Sequence, residues 1–128
     1  MIYLDTSVAL AHLLSEDRVP PDSLWDETLV SSRLLEYELW NRLHARGSAV
    51  THGEYARELL QRLALLELAP PVLARALEPF PVPVRTRDAL HLASIDFLRA
   101  QRQDVALASY DSGMIDAARR MKIRIADI

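Results

Sequence analysis

Four acidic residues stand where a chain does not place charge without a reason. Asp5 follows the apolar triplet Ile2-Tyr3-Leu4 in MIYLDTSVAL and precedes an apolar helical run that begins at Val8. Asp88 opens RDALHLASIDFLRA (87–100), and Asp111 follows VALAS (105–109). Glu38 lies about two turns into RLLEYELWNRLHAR (33–46). Carboxylates about 4 Å apart repel by about 1 kcal/mol in bulk water and by about 4 kcal/mol at an effective dielectric of 20. A cluster of them therefore lowers stability unless a cation is shared. Hard oxygen ligands without cysteine suit Mg²⁺ or Mn²⁺, and such an ion activates water and holds a phosphate in line for attack. Convergence of the four would predict a metal, and the metal would predict phosphoryl chemistry. Taken singly, each of Asp5, Asp88 and Asp111 reads as a helix cap rather than a catalyst. Glu38 alone reads as the partner of Arg42 one turn on.

The elements that must carry these residues alternate. Strands are expected at 2–4, 29–32, 105–109 and 123–127. FPVPV (80–84) can form only an edge-like or irregular strand, because its prolines cannot donate to a ladder. A first helix runs from Val8 until Pro20-Pro21 break the chain. Residues 33–46 form a helix with Leu35, Leu39 and Leu43 on one stripe and a stop at Gly47. Thr51 with Glu54 fits a capping box for a helix reaching about Leu66. A short helix covers 71–78, and further helices cover 87–100 and 111–121. Strands alternating with helices argue for an α/β fold on a parallel sheet, where ligands bind at the carboxyl ends of the strands. Three of the acids occupy such junctions, and Glu38 can lean over the same edge.

The bulk numbers narrow the class. A chain of 128 residues that is 50% hydrophobic is one domain with a real core. With no cysteine it has neither disulfides nor thiolate zinc sites. Its first residues carry no Lys or Arg and run straight into an apolar strand, so no signal peptide is expected. No apolar stretch approaches the ~20 residues of a membrane span. The expectation is a soluble cytoplasmic protein. A net charge of −3 is not the footprint of an obvious nucleic-acid binder. All basic residues but Lys122 are arginine, which suits bidentate phosphate contacts, although a compositional bias is the simpler reading.

Four stretches, in order, resemble the PIN-domain family. MIYLDTSVAL resembles its first strand, ending in Asp and a Thr/Ser pair. SSRLLEYEL resembles its second element, which carries a Glu. RTRDALHLASIDF resembles its Asp-Ala-apolar-His helix start, and ALASYDSGMIDAA its Asp between a strand and an Ala-rich helix. The resemblance covers almost the whole chain, 1–128, and its length is similar to that of VapC-type toxins. It implies a three-layer α/β/α sandwich with a mainly parallel sheet and a Mg²⁺- or Mn²⁺-dependent ribonuclease. Carried over by position, Asp5, Glu38, Asp88 and Asp111 form the acidic quartet. Asp5 and Asp88 would be metal ligands with Asp111 assisting, and Glu38 would orient or deprotonate the attacking water, directly or through a second metal. Ser7 would hydrogen-bond Asp5, while Thr6 caps the first helix. Glu36 competes with Glu38, which is preferred as the Glu four residues beyond Leu34. Asp116 lies inside the last helix and is set aside for Asp111. The partners implied are an RNA substrate, a cognate VapB-type antitoxin and a second copy in a homodimer. The antitoxin clamp is expected on helices 33–46 and 51–66.

The remaining residues have ordinary expectations. His91 is read as a packing histidine, and His12, His44 and His52 show no metal spacing. Asp96 is expected in solvent. Arg85 and Arg87 flank the third acid, where they are solvated or contact RNA phosphates. Trp25 and Trp40 are core candidates. Two rival functions remain. A phosphatase or phosphoryl-accepting domain could use Asp5 as nucleophile, but Ser7 stands where a second Asp is wanted, and Lys122 precedes the final strand rather than following one. A PIN-like module could instead bind a partner without catalysis.

Overall fold

The computed structural model describes residues 1–128. Its elements run β1 (Ile2–Leu4), α1 (Thr6–Leu14), β2 (Leu29–Ser32), α2 (Arg33–Ala45), α3 (Ala49–Gln61), β3 (Ala64–Leu66), α4 (Pro70–Ala76), α5 (Thr86–Ala100), β4 (Ala106–Ala108), α6 (Ser112–Arg120) and β5 (Arg124–Ile125). The strands form one sheet in the order β3-β2-β1-β4-β5, and every neighbouring pair is parallel. The central strand is apolar on both faces, as a strand covered on both sides must be.

Side-chain alternation divides the core into two. Leu4, Leu29 and Ala108 join Val8, Leu35, Leu39, Leu43, Ala56 and Leu59 under α1, α2 and α3. Tyr3, Val30 and Leu107 join Leu92, Ile95, Met114 and Ala117 under α5 and α6. The result is an α/β/α sandwich. The stripe expected on α2 is there, with Leu35, Leu39 and Leu43 all fully buried. Each contributes about 1.5–3 kcal/mol by leaving water. Gly47 takes the left-handed conformation (φ +66°) just past the helix end, as a C-terminal stop requires. No helix is long and apolar enough to cross a membrane.

Three expectations about the elements are corrected. FPVPV (80–84) forms no strand; the sheet takes its edge strand instead from Ala64–Leu66, paired with Val30–Ser32. All of β2 is buried, so its outer edge needs a partner able to donate hydrogen bonds, which Pro81 and Pro83 are not. The helix expected to reach Leu66 consequently ends at Gln61, leaving room for β3. Its capping box is also absent. The helix begins at Ala49, the Thr51 hydroxyl donates to the Ser48 carbonyl (3.2 Å), and Glu54 pairs with Arg57.

The winding sets where a ligand can bind. From β1 the chain builds outward through β2 and β3 on one side, and β4 and β5 lie on the other. The reversal between β1 and β4 opens a crevice beyond the carboxyl ends of those strands. The Asp5 amide still donates to the Ala108 carbonyl (2.9 Å), so the two strands part just past Asp5.

Candidate active site

Asp5 occupies the cap position of α1 but caps no backbone N–H. Its Oδ2 accepts from the Ser7 hydroxyl (2.7 Å) and the Ser109 hydroxyl (2.8 Å). Ser7 Oγ accepts from the Tyr110 amide and Ser109 Oγ from the Asp111 amide, both at 3.0 Å. Two hydroxyls thus tie the end of β1 to the end of β4 and fix the rotamer of a carboxylate that is only 6% exposed. Ser109 had a visible signal, a hydroxyl at the close of VALAS two residues before an acid, but its partner lies 104 residues away.

Thr6 is not the cap expected of it. It is the first residue of α1, and its hydroxyl donates to Glu38 Oε1 (3.0 Å). His91 Nε2 meets the same oxygen at 2.6 Å, and an Arg87 nitrogen lies 3.8 Å from Oε2. Glu38 therefore does not pair with Arg42. Burial by itself would raise its carboxyl, but the hydrogen bond from His91, then Thr6 and Arg87, outweigh that and hold it below the ordinary range. Glu36 turns to Arg33 (2.7 Å) instead. His91 is a correction as well. It is 1% exposed but is not simply packed, because it bonds Glu38 on one side and the Tyr3 hydroxyl on the other (2.7 Å to Nδ1).

Asp88 sits in the first turn of α5, where the helix dipole favours an anion. It is 7% exposed. Arg85 Nε lies 3.3 Å from its Oδ2 and Arg87 Nε 3.9 Å from its Oδ1. Burial raises its carboxyl above the ordinary value and the Asp111 charge adds to this, against the opposing charges of Arg85 and Arg87. Asp111 is a true cap: Oδ1 accepts from the amides of Gly113 (3.0 Å) and Met114 (3.4 Å), while Oδ2 meets an Arg85 nitrogen at 3.1 Å. Asp116 pairs with Arg120 on the surface, and Asp96, expected in solvent, pairs with Arg75 (2.9 Å) and Arg99 (3.3 Å). Trp25 and Trp40 pack half-buried against the larger core cluster.

Asp5, Glu38, Asp88 and Asp111 all line one cavity of about 790 Å³, together with Ser7, Thr6, Arg18, Arg42, Arg46 and Arg87. No three acidic or histidine side chains stand close enough together to hold a metal ion. Two arginines stand among the acids: Arg85 spans Asp88 and Asp111, and Arg87 spans Glu38 and Asp88. The donor set itself, all carboxylate oxygen with one buried carboxyl pushed up, suits a small hard divalent cation.

The sequence model described as PIN domain matches residues 2–120. Over 128 aligned positions the chain is 32% identical to "Ribonuclease VapC47" of Mycobacterium tuberculosis (strain CDC 1551 / Oshkosh), an alignment covering 94% of this chain and 92% of that protein.

Proposed function

Because the chain belongs to the PIN-domain family and is related to the VapC-type ribonucleases of toxin–antitoxin systems, we propose that it is a metal-dependent endoribonuclease. In this reading residues 1–128 are a single PIN domain that hydrolyses RNA phosphodiester bonds in the cytoplasm as the toxin of a VapBC-type pair. The observation that carries the reading is the meeting of four acids, from four separated segments, on one cavity at the β1/β4 reversal.

Asp5 and Asp88, assisted by Asp111, would hold Mg²⁺ or Mn²⁺. When bound, such an ion lowers the pKa of water and offsets charge on the phosphate. The protein's own groups supply the rest. Ser7 and Ser109 keep Asp5 in one rotamer. Glu38, held ionised by its donors, accepts a proton from the attacking water at Oε2, the oxygen that carries no hydrogen bond. Arginine on the cavity wall reconciles an acidic pocket with a polyanionic substrate. Arg42 makes no ion pair, and Arg46 reaches only Glu16 at 3.7 Å, so both remain available to RNA phosphates. Tyr37 on α2 and Val50 and Tyr55 on α3 are exposed, which supports these helices as the surface for the antitoxin or for a second copy in a homodimer.

The test is cleavage of RNA by the purified chain. Mn²⁺ or Mg²⁺ should be required, EDTA should stop the reaction, and Asp5→Asn or Asp88→Asn should abolish both cleavage and growth inhibition with the fold intact. Full activity in either variant would remove the site. A folded wild type that cleaves no RNA with any divalent metal but captures its partner would favour the rival reading of a binding module.

A further inference from the structure

We propose that His91 is a positioning residue for Glu38, with Tyr3 fixing the imidazole in the tautomer that does this. The proposal rests on the reading of Glu38 as a proton acceptor. Three side chains from separate elements form a line through the fold: Tyr3 on β1, His91 on α5 and Glu38 on α2. Tyr3 Oη lies 2.7 Å from His91 Nδ1, and His91 Nε2 lies 2.6 Å from Glu38 Oε1. Tyr3 is fully buried and His91 is 1% exposed.

The chemistry of the line leaves little freedom. A carboxylate can only accept, so Nε2 must carry a proton to meet it. In neutral imidazole Nδ1 is then an acceptor, and the Tyr3 hydroxyl is the donor that faces it. The opposite tautomer would set a lone pair of Nε2 against Oε1. The rings meet edge to face, 5.7 Å between centroids, which fixes the plane of the imidazole as well.

Placement gives the line a use. His91 follows Asp88 by three residues, so both lie on one face of α5. That face presents Asp88 to the cavity and sets His91 behind Glu38. Thr6 donates to the same Oε1. Both donors therefore hold one oxygen, and Oε2 is left without a hydrogen bond. His91 thus fixes the carboxylate through the oxygen that does no chemistry and leaves the other for the proton.

The experiment uses the full chain with Mn²⁺ and an RNA substrate. His91→Leu should lower kcat by about 10-fold to 100-fold, a part of the ~10²–10⁴ that a general base supplies, with KM little changed. The acidic limb of its pH–rate profile should move upward, because Glu38 loses its foremost donor. His91→Gln, whose amide can donate from nearly the same place, should recover much of the loss. Nitrogen-15 NMR of wild type should show Nε2 protonated and Nδ1 bare, and Tyr3→Phe should give a tautomer mixture with an intermediate kcat. A folded His91→Leu with unchanged kcat and pH profile, or a wild type with Nδ1 protonated and Nε2 bare, overturns the proposal. If His91→Leu does not fold, Tyr3→Phe and the spectra decide. A wild type that is inactive on RNA yet carries the Nε2–H tautomer sinks the ribonuclease reading and supports the positioning of Glu38.

Discussion

Replacing Arg85 with alanine should weaken the metal-free fold and strengthen divalent-metal binding, two effects of opposite sign from one side chain. Arg85 stands 3.3 Å from Asp88 Oδ2 and 3.1 Å from Asp111 Oδ2. At an effective dielectric of 20 a unit pair at that range is worth about 5 kcal/mol before solvent is counted. The Arg85 side chain is 61% exposed, however, and screening reduces such pairs to ~0–1 kcal/mol each. About 1 kcal/mol for the two together lowers the melting temperature by roughly 3–5 °C in a chain of this size. Any ion that draws Asp88 and Asp111 together must displace Arg85 and forfeit that energy. Removing the arginine should therefore tighten Mn²⁺ binding by about fivefold. Thermal melts in EDTA read the first effect, and calorimetric titration with Mn²⁺ reads the second. A variant that melts lower but binds Mn²⁺ no better, or worse, would refute the idea that Arg85 stands in the cation's place.

Ser109→Ala should cost about 1–3 kcal/mol in urea unfolding, because it strips a donor from buried Asp5 and an acceptor from the Asp111 amide; an unchanged midpoint would contradict the geometry. Glu38→Gln should show a pH-dependent loss of stability. The folded-state Glu38 carboxyl lies below its ordinary value, so its contribution is present above the unfolded pKa of about 4.3 and is lost as pH falls through the folded value. The gap between wild type and variant should accordingly be full at pH 7 and close in acid, as followed by melts across pH. Leu39→Ala, beneath α2 and fully buried, should cost about 2–5 kcal/mol by chemical denaturation without altering the affinity of the residual folded protein for Mn²⁺.

Much of the fold was legible because its signals are local. The apolar run of β1, the Leu35-Leu39-Leu43 stripe and the stop at Gly47 are set within a few residues, where strand and helix signals differ. The junction acids were legible for the same reason, since a parallel sheet brings the ends of its strands to one edge whatever lies between them. The edge strand was not legible. Leu63 and the ALL triplet that follows read as the tail of a helix, and only the exposed ladder of β2 makes Ala64–Leu66 a strand.

The sequence by itself determined the alternation of elements, the family resemblance and which acids could meet. Tertiary structure decided what each acid touches. Thr6 reaches 32 residues to Glu38, His91 reaches 53 to the same carboxylate, and Ser109 reaches 104 to Asp5. A hydroxyl or an imidazole carries no local mark of a partner that distant, because its hydrogen bond is chosen by where the sheet and its two helical layers bring the chain together. Asp111 as both cap and cavity wall, and the arginines between the carboxylates, were settled in the same way.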